Sequence, residues 1–440
     1  MTAFEQSPSS ESHRTEPLTV GLLGCGTVGS GVVRLLTDFA DDFSARVGVP
    51  LELGPVAVRN PSRDRDVAVA SLTSDAHAVV TDPGVDIVVE VMGGIEPTRG
   101  LITAALEHGK PVISANKELV ATLGGELIAL ANRKGLRLEY EAAVAGAIPI
   151  IRPLKASLAG DRVRRVMGIL NGTTNYILTK MTEEGATFTD ALGDAQRLGY
   201  AERDPSADIE GYDAAAKAAI VASLAFDAQV VAGDVYREGI TEVTPADIAN
   251  AARMGYVIKL LGIAERTGSG IGVRVHPALV PNDHPLASVR ESFNAVFVEA
   301  EGAGDLMFYG RGAGSLPTAS AVVGDVVSVA RGLRAGERAA NGHDLSRADL
   351  SPFEETRTQY SVLLDVNDEA GVLAGVAEVF ATHNVSIRNV WQEGTDDSAQ
   401  LLLITHEAQE RDLQATLGEL RRLDAVRAVA NVMRVEGGEP

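Results

Sequence analysis

The chain has 440 residues, a formal net charge of −21 and a single cysteine. At roughly 150 residues per domain, the length allows about three domains. The excess of 60 acidic over 39 basic side chains repels phosphate backbones and anionic lipid, which argues against a nucleic-acid or membrane partner. Cys25 alone builds neither an internal disulfide nor a multi-cysteine metal site, in keeping with a reducing compartment. No run approaches about 18 apolar residues and the N-terminal segment lacks the blocks of a secretory signal, so a cytoplasmic protein is expected. Lysines are scarce, seven against 32 arginines, and a lysine at a motif position therefore points weakly to a titratable amine.

Residues 1–16 are rich in Ser, Glu and Pro and read as a disordered tail. From Leu18 the apolar run LTVGLLG ends in glycines and leads into the helical pattern VGSGVVRLLTDF. Further apolar runs, LGPVAVR, DIVVEVMGG, PVISAN and LRLEYEAAV, alternate with helical stretches. The alternation predicts an α/β domain with a doubly wound parallel sheet over residues 17–150. Residues 151–335 carry the helical patterns YDAAAKAAIVASLAFD and PADIANAARMGYVIKLLGIAE and the alternating segments GIGVRVHPALV and AVFVEAEG, as an α+β domain would. A polar stretch rich in Gly and Arg, 336–358, reads as a linker. Residues 359–440 run strand, helix, strand, strand, helix, strand, a βαββαβ order that predicts a ferredoxin-like sandwich.

The first strand enters GCGTVG, with glycines at Gly24, Gly26 and Gly29, and a helix follows. In that setting Gly24 permits a tight turn, Gly26 lets the backbone approach a pyrophosphate, and Gly29 packs helix on strand. The helix N-terminus then faces the anion; the alternative is a glycine turn without a ligand. At the end of the second strand, where an acidic residue would bind a ribose hydroxyl, stands Arg59. A cation there suits the 2'-phosphate of NADP, with Arg63 and Arg65 as helpers or as solvated loop arginines.

Lys117, in ISANKE, falls at a strand end, the edge where open α/β sheets bind ligands. The segment LGYAERDPSADIEGYDAAAKAAI gathers Glu202, Asp204, Asp208, Glu210, Asp213 and Lys217 around a helix start. Asp213 and Lys217 are four apart and share a helix face, either as a surface ion pair or, given the apolar neighbours, as a pair held against a core. Lysines and carboxylates beside a hydride carrier suit reduction of a carbonyl in a substrate that bears an ammonium group. A lysine ammonium stabilises the nascent alkoxide and protonates it, while carboxylates grip the amine. Cys25 lies in the glycine turn, which disfavours a thioester route.

The segment LGYAERDPSADIEGYDAAAKAAIVASLAFD, with GLLGCGTVG, ANKELVA, ILNGTTNYIL and GRGAGSLPTASAVVGD, closely resembles the homoserine dehydrogenase family over about residues 17–440, in its monofunctional bacterial form with a C-terminal ACT domain. Only the short tail precedes the glycine loop, so no aspartokinase module is expected there. The resemblance implies a Rossmann-type cofactor domain, a catalytic and dimerisation domain and the ACT domain. It also implies reversible NAD(P)H-dependent reduction of L-aspartate 4-semialdehyde to L-homoserine, on the route to threonine, isoleucine and methionine. On matching positions, Lys217 is the proton donor, Lys117 assists at the substrate oxygen and touches the cofactor, and Glu202, Asp213 and Asp208 bind homoserine. Thr27, Val28, Arg59, Lys117 and Gly199 surround the cofactor and Gly314 closes over it. NADP(H) is favoured by Arg59, with NAD(H) not forbidden.

The resemblance further implies a sodium site at Glu141, Val144, Gly146 and Ile148, formed mostly by backbone carbonyls. It makes threonine an expected effector at Asn367 to Leu373, against the alternative of a purely structural dimerisation module. A symmetric homodimer or homotetramer is expected. Two other readings are a catalytically silent dinucleotide and amino-acid sensor, and an NADP oxidoreductase acting on a different amino aldehyde or hydroxy acid.

Overall fold

A computed structural model describes residues 16–337, 345–347, 349–395 and 398–438. The tail expected over 1–16, but for Glu16, and linker residues 338–344 and 348 lie outside the described residues. The chain forms two compact units, Met1–Ala147 with Gly314–Asp344, and Ile148–Ala313 with Leu345–Pro440. No helix among the described residues is long and apolar enough to cross a membrane.

In the first unit β1 (Leu18–Leu23), β2 (Leu51–Ala57), β3 (Leu72–Thr73), β4 (Ile87–Glu90), β5 (Val112–Ser114) and β6 (Leu138–Glu139) form one sheet. Their order is β3-β2-β1-β4-β5-β6 and every pairing is parallel. Parallel neighbours need crossovers, which pass through helices such as Thr27–Asp38, Thr98–Glu107 and Lys117–Lys134. Strand order reverses between β1 and β4, the switch point at whose carboxyl edge open sheets bind ligands. The doubly wound expectation therefore holds.

The helix Ser315–Ala335 belongs to this unit, although the sequence places it in the second domain. Its buried stripe, Ala319, Val322, Val323, Val326 and Val329, joins the core of Val20, Leu22, Val32, Leu36, Ile87 and Val89. Close approach to the first helix depends on Gly31, where a Cβ would sit 2.8 Å from the Ser315 carbonyl oxygen and 2.9 Å from the Ala319 Cβ.

In the second unit the strands are β7 (Val163–Ile169), β8 (Ala228–Gln229), β9 (Tyr236–Arg237), β10 (Tyr256–Arg266), β11 (Ile271–Pro281), β12 (Phe293–Ala300), β13 (Gly304–Arg311), β14 (Ser346–Arg347), β15 (Arg357–Asn367), β16 (Ile387–Thr395), β17 (Ser398–Thr405), β18 (Ala408–Gln409) and β19 (Val426–Val435). The main sheet runs β13-β12-β7-β10-β11-β19-β15-β17-β16. Helices Gly172–Glu184 and Tyr212–Ala225 pack on its first half. The second half, β19-β15-β17-β16, is antiparallel. With helices Val372–Thr382 and Glu410–Leu420, which supply Val376, Phe380, Leu413 and Leu417 to its core, it forms the expected ferredoxin-like sandwich.

Parallel pairing of Ala278 with Arg434 and of Leu279 with Val435 fuses the two halves, which the sequence does not foretell. Nor is the linker isolated. Ser346 and Arg347 pair with β8, Leu350 bridges to Ile271, and Phe353 stacks on Tyr236.

One expected helix is in part a strand. Within PADIANAARMGYVIKLLGIAE the helix covers only Pro245–Arg253; Gly255 turns left-handed at φ 82° and YVIKLLGIAE becomes β10. Seven consecutive residues of that strand, Ile258 to Ala264, are buried, Lys259 among them, and a run buried on both faces has no alternation to separate strand from helix. The segment read as alternating, β11, is buried along nearly its whole length, Arg274 and His276 included.

Candidate active site

In the first unit, β1 delivers the chain into the glycine turn at the switch point. Gly24 has φ 99°, and a Cβ there would meet the Val91 carbonyl oxygen at 2.8 Å. At Gly29 a Cβ would fall 2.3 Å from the Gly24 carbonyl oxygen, so helix and turn touch through bare backbone. Nothing lies within 4 Å of a Cβ built at Gly26, which caps the helix Thr27–Asp38 without a side-chain hydrogen bond. Uncapped N–H groups at a helix start are donors ready for an anion. Gly24, Gly26, Thr27, Val58, Arg59, Met92 and Ser315 are among the residues that line a cavity of about 1160 Å³.

Ser315 was not singled out from the sequence; its hydroxyl donates to the Thr27 carbonyl at 2.6 Å, pinning the turn from the returning helix. Arg59 and Arg63 are exposed on the cavity wall. Arg65 instead gives its guanidinium to the carbonyls of Asn60 and Arg63, so it shapes the loop rather than joining them as a free cation. Val28 is half-buried behind the turn, and Cys25 is a half-buried free thiol beside Ser30.

Lys117 opens the helix that follows β5 and is exposed. Asn116 caps that helix, its Oδ1 accepting from Leu119 N at 3.1 Å, while its Nδ2 donates to the Gly94 carbonyl at 2.6 Å. Next to it the buried Glu90 carboxylate takes hydrogen bonds from Ser114 Oγ at 2.6 Å and Met92 N at 2.7 Å. Burial nonetheless pushes its pKa above the ordinary carboxylate range. These contacts set the strand-end loops from which Lys117 projects.

In the second unit Asp213 and Lys217 lie on the helix Tyr212–Ala225, and both side chains are nearly buried, at 3% and 12% exposed. The surface ion-pair alternative therefore fails. Lys217 Nζ donates to Asp213 Oδ2 and to the Leu170 carbonyl, each at 2.7 Å. Asn171, just after β7, donates through Nδ2 to Asp208 Oδ1 at 2.7 Å and to Asp213 Oδ2 at 2.8 Å. Burial, reinforced by the Asp213 charge, raises the Asp208 pKa against the opposing hydrogen bond from Asn171.

The cluster thus unites Lys217, Asp213 and Asp208 and adds Asn171, a residue missed because an Asn before Gly reads as turn chemistry. Glu202 is exposed; its carbonyl accepts from Gln196 Nε2 at 3.1 Å. Asp204 caps the turn at Ser206. Gly199 has φ 77° and ends a helix in the second unit, whereas Gly314, at φ 124°, starts the helix Ser315–Ala335 of the first.

The four residues expected around a cation, Glu141, Val144, Gly146 and Ile148, are all buried. Glu141 is a buried carboxylate in a short 3₁₀ turn whose N–H is held by Asp325 at 2.9 Å. Val144 is buried, and Ala145 and Gly146 both take left-handed φ, 55° and 57°, which turns the intervening peptide. Ile148 is buried at the start of the second unit. Among the described residues no group of three or more His, Cys, Asp or Glu could hold a metal ion. In the sandwich, Asn367 Oδ1 accepts from Arg427 Nε at 2.7 Å, and Gly371 at φ 97° opens the helix Val372–Thr382.

A parallel sheet with an anion-ready helix start, in a chain that also buries an ammonium beside paired carboxylates, defines a dinucleotide-dependent oxidoreductase. Family profiles match three segments: homoserine dehydrogenase, NAD binding domain, over 24–141; homoserine dehydrogenase over 149–327; and ACT domain over 360–425. The homoserine dehydrogenase of Mycobacterium tuberculosis is 52% identical over 96% of this chain and 98% of its own length. The crystal structure of a homoserine dehydrogenase from Thiobacillus denitrificans is 41% identical, with a TM-score of 0.91 over 96% of this chain and 99% of that one. A hyperthermophilic archaeal homoserine dehydrogenase in complex with NADPH is 27% identical, with a TM-score of 0.60 over 71% of this chain and 97% of that one.

The chain belongs to the homoserine dehydrogenase family, whose members interconvert L-aspartate 4-semialdehyde and L-homoserine with a nicotinamide dinucleotide.

Proposed function

We propose that Lys217 is the general acid and base of this homoserine dehydrogenase and that NADP(H) is its preferred carrier. The observation that carries the reading is the buried ammonium of Lys217, held between Asp213 and the Leu170 carbonyl beside a second carboxylate. With its pyrophosphate on the glycine turn, a bound nicotinamide dinucleotide would supply the hydride. Hydride addition to the aldehyde carbon leaves an alkoxide, to which Lys217 gives a proton while Asp213 holds the resulting amine in place. In the oxidative direction the neutral amine takes the hydroxyl proton. Positioned proton transfer of this kind contributes about 10² to 10⁴ in rate.

Asp208 and Asp213, with Glu202, receive the substrate ammonium. Lys117 is assigned the auxiliary role at the substrate oxygen and the cofactor. Thr27, Val28 and Arg59, with Gly199 and Gly314, complete the cofactor contacts, and Arg59 favours the 2'-phosphate. A sodium ion held by Glu141 and the carbonyls of Val144, Gly146 and Ile148 would balance a buried carboxylate charge.

Incubation with homoserine and NADP should raise the absorbance of the reduced nicotinamide. Lys217→Ala should lower turnover at least about 10²-fold and leave NADPH binding intact. Full activity in that variant would remove the acid and base role, and a wild-type protein that binds NADPH without turnover would favour the silent-sensor reading.

Threonine feedback is the regulatory part of the proposal, with Asn367 to Leu373 as the binding segment. Support comes from the continuous sheet and from Arg434. Its guanidinium bonds Glu410 on the sandwich helix at 3.0 Å and Glu238 at 2.9 Å. Beyond Glu238, the Ile240 N–H donates to the Ile209 carbonyl at 2.8 Å, beside Asp208. Ligand binding that strains the sandwich would reach the carboxylates through this path. Roughly millimolar threonine should lower activity, and Arg434→Met should blunt the response; unchanged activity with threonine would leave a structural pairing module. A homodimer or homotetramer and a cytoplasmic location complete the reading, and light scattering reports the first directly.

A further inference from the structure

Two carboxylates that share one side-chain amide are an unusual load for a helix cap. Asn171 is 5% exposed and takes an extended backbone, φ −125° and ψ 117°, at the start of the helix Gly172–Glu184. Its Oδ1 accepts from Thr174 N at 2.9 Å and Thr174 Oγ1 at 3.0 Å. A backbone N–H only donates, so this contact settles which end of the amide is oxygen. The Nδ2 group must then face the other way, where its bonds run to Asp208 Oδ1 and Asp213 Oδ2. Asp213 Oδ2 also accepts from Lys217 Nζ.

The cap itself is anchored from behind. A Cβ at Gly172 would lie 2.6 Å from the Ser292 carbonyl oxygen, so the chain passes there in backbone contact. One turn on, Asn175 Nδ2 donates to the Glu291 carbonyl at 2.9 Å, and Asn175 Oδ1 accepts from buried Lys259 at 3.1 Å.

We infer that Asn171 is a positioning residue for the reaction: its amide nitrogen sets the spacing and facing of Asp208 and Asp213, so that both stay ionised toward the substrate ammonium and Asp213 stays aligned on Lys217. This rests on the reading that Lys217, Asp208 and Asp213 handle the substrate. Two like charges close together resist joint ionisation, and a donor shared between them offsets that repulsion without placing a competing cation in the substrate's position. The groups acting on Asp208 are Asp213 and Lys217 from the helix Tyr212–Ala225 and the Asn171 amide and Thr173 hydroxyl around the cap.

Capping and carboxylate bridging separate by substitution. Asn171→Ser and Asn171→Asp both keep a good helix cap. Serine cannot reach the carboxylates, and aspartate turns a third carboxylate on them. Asn171→Ser should therefore melt close to the wild type, while the third buried carboxylate of Asn171→Asp lowers the melting temperature. KM for homoserine should rise about 10- to 100-fold, the loss expected for hydrogen bonds to charged groups, with KM for NADP unchanged. In the reductive direction the acid limb of kcat/KM should move to higher pH, because a carboxylate that loses a donor takes up its proton more readily.

A merely structural cap would leave KM and the pH profile of both variants at wild-type values, and that result overturns the inference. Lys217→Ala and Asp213→Asn, measured alongside, report on the site itself. If both lose turnover while Asn171→Ser is kinetically normal, the inference alone falls; if both keep turnover, the site reading falls with it.

Discussion

Arg59 sits on the cavity wall at the end of β2, exposed, where the acidic residue of an NAD-selective site would stand. A guanidinium pairs with a phosphate through charge-assisted bonds that a ribose hydroxyl cannot match. Arg59→Ala should weaken NADP about 10- to 100-fold and NAD little, measured as the ratio of kcat/KM for the two carriers. An unchanged ratio would assign the preference elsewhere on the wall. Arg65, equally basic and nearby in sequence, should matter less for phosphate and more for loop shape, because its guanidinium already holds the carbonyls of Asn60 and Arg63. Residue type alone could not separate the two arginines; their hydrogen bonds do.

At the scale of elements, the helix Ser315–Ala335 closes the first unit by lying on the helix Thr27–Asp38. Both helices carry buried apolar stripes, yet the contact depends on a position with no side chain. Gly31→Val would put methyl groups where Ser315 and Ala319 now stand, forcing the helices apart and pulling Ser315 from Thr27. We expect a loss of about 1–3 kcal/mol in stability, read from denaturant unfolding, and weaker NADPH binding because the glycine turn loses its pin. A variant that unfolds at wild-type denaturant and binds NADPH normally would show that the helix pair tolerates separation. The pattern VGSGVV gave no hint of this partner, since the residues that meet it lie almost three hundred positions away.

Across the second unit, a buried charge network joins the chain end to the catalytic sheet. Glu436, 2% exposed, accepts from Arg274 Nη2 at 2.9 Å and also pairs with Arg165. His276, fully buried, stands 3.5 Å from the same carboxylate. The two guanidinium groups hold the Glu436 pKa well below the ordinary 4.5, against the effect of burial. Burial holds His276 below its ordinary 6.5. For Glu436, a depressed folded value gives stability that is present above 4.5 and lost as pH falls through the folded pKa. For His276, the unfolded state binds more protons below 6.5, so stability again falls toward acid.

Urea midpoints should therefore decline as pH drops below about 6.5 and fall faster below about 4.5. Glu436→Gln should cost about 3–5 kcal/mol near neutral pH and flatten the lower limb. A pH-independent midpoint across that range would show that the network contributes nothing to folding.

The sequence by itself determined what local chemistry determines. Glycine spacing after a strand fixed the cofactor turn, alternating strands and helices fixed the parallel sheet, and the four-residue step from Asp213 to Lys217 fixed a shared helix face. Each depends on neighbours within one or two turns of chain, and so each is written in order along it. Tertiary structure decided what depends on distant partners. It made YVIKLLGIAE a strand between β7 and β11, returned the helix 315–335 to the first unit, and ran the catalytic sheet into the sandwich through β19. It also turned Asn171 from a turn residue into the bridge between Asp208 and Asp213. A buried strand and a buried helix show the same apolar run, and an amide shows the same letter whether it faces water or two carboxylates. Only the partners that folding brings near distinguish them.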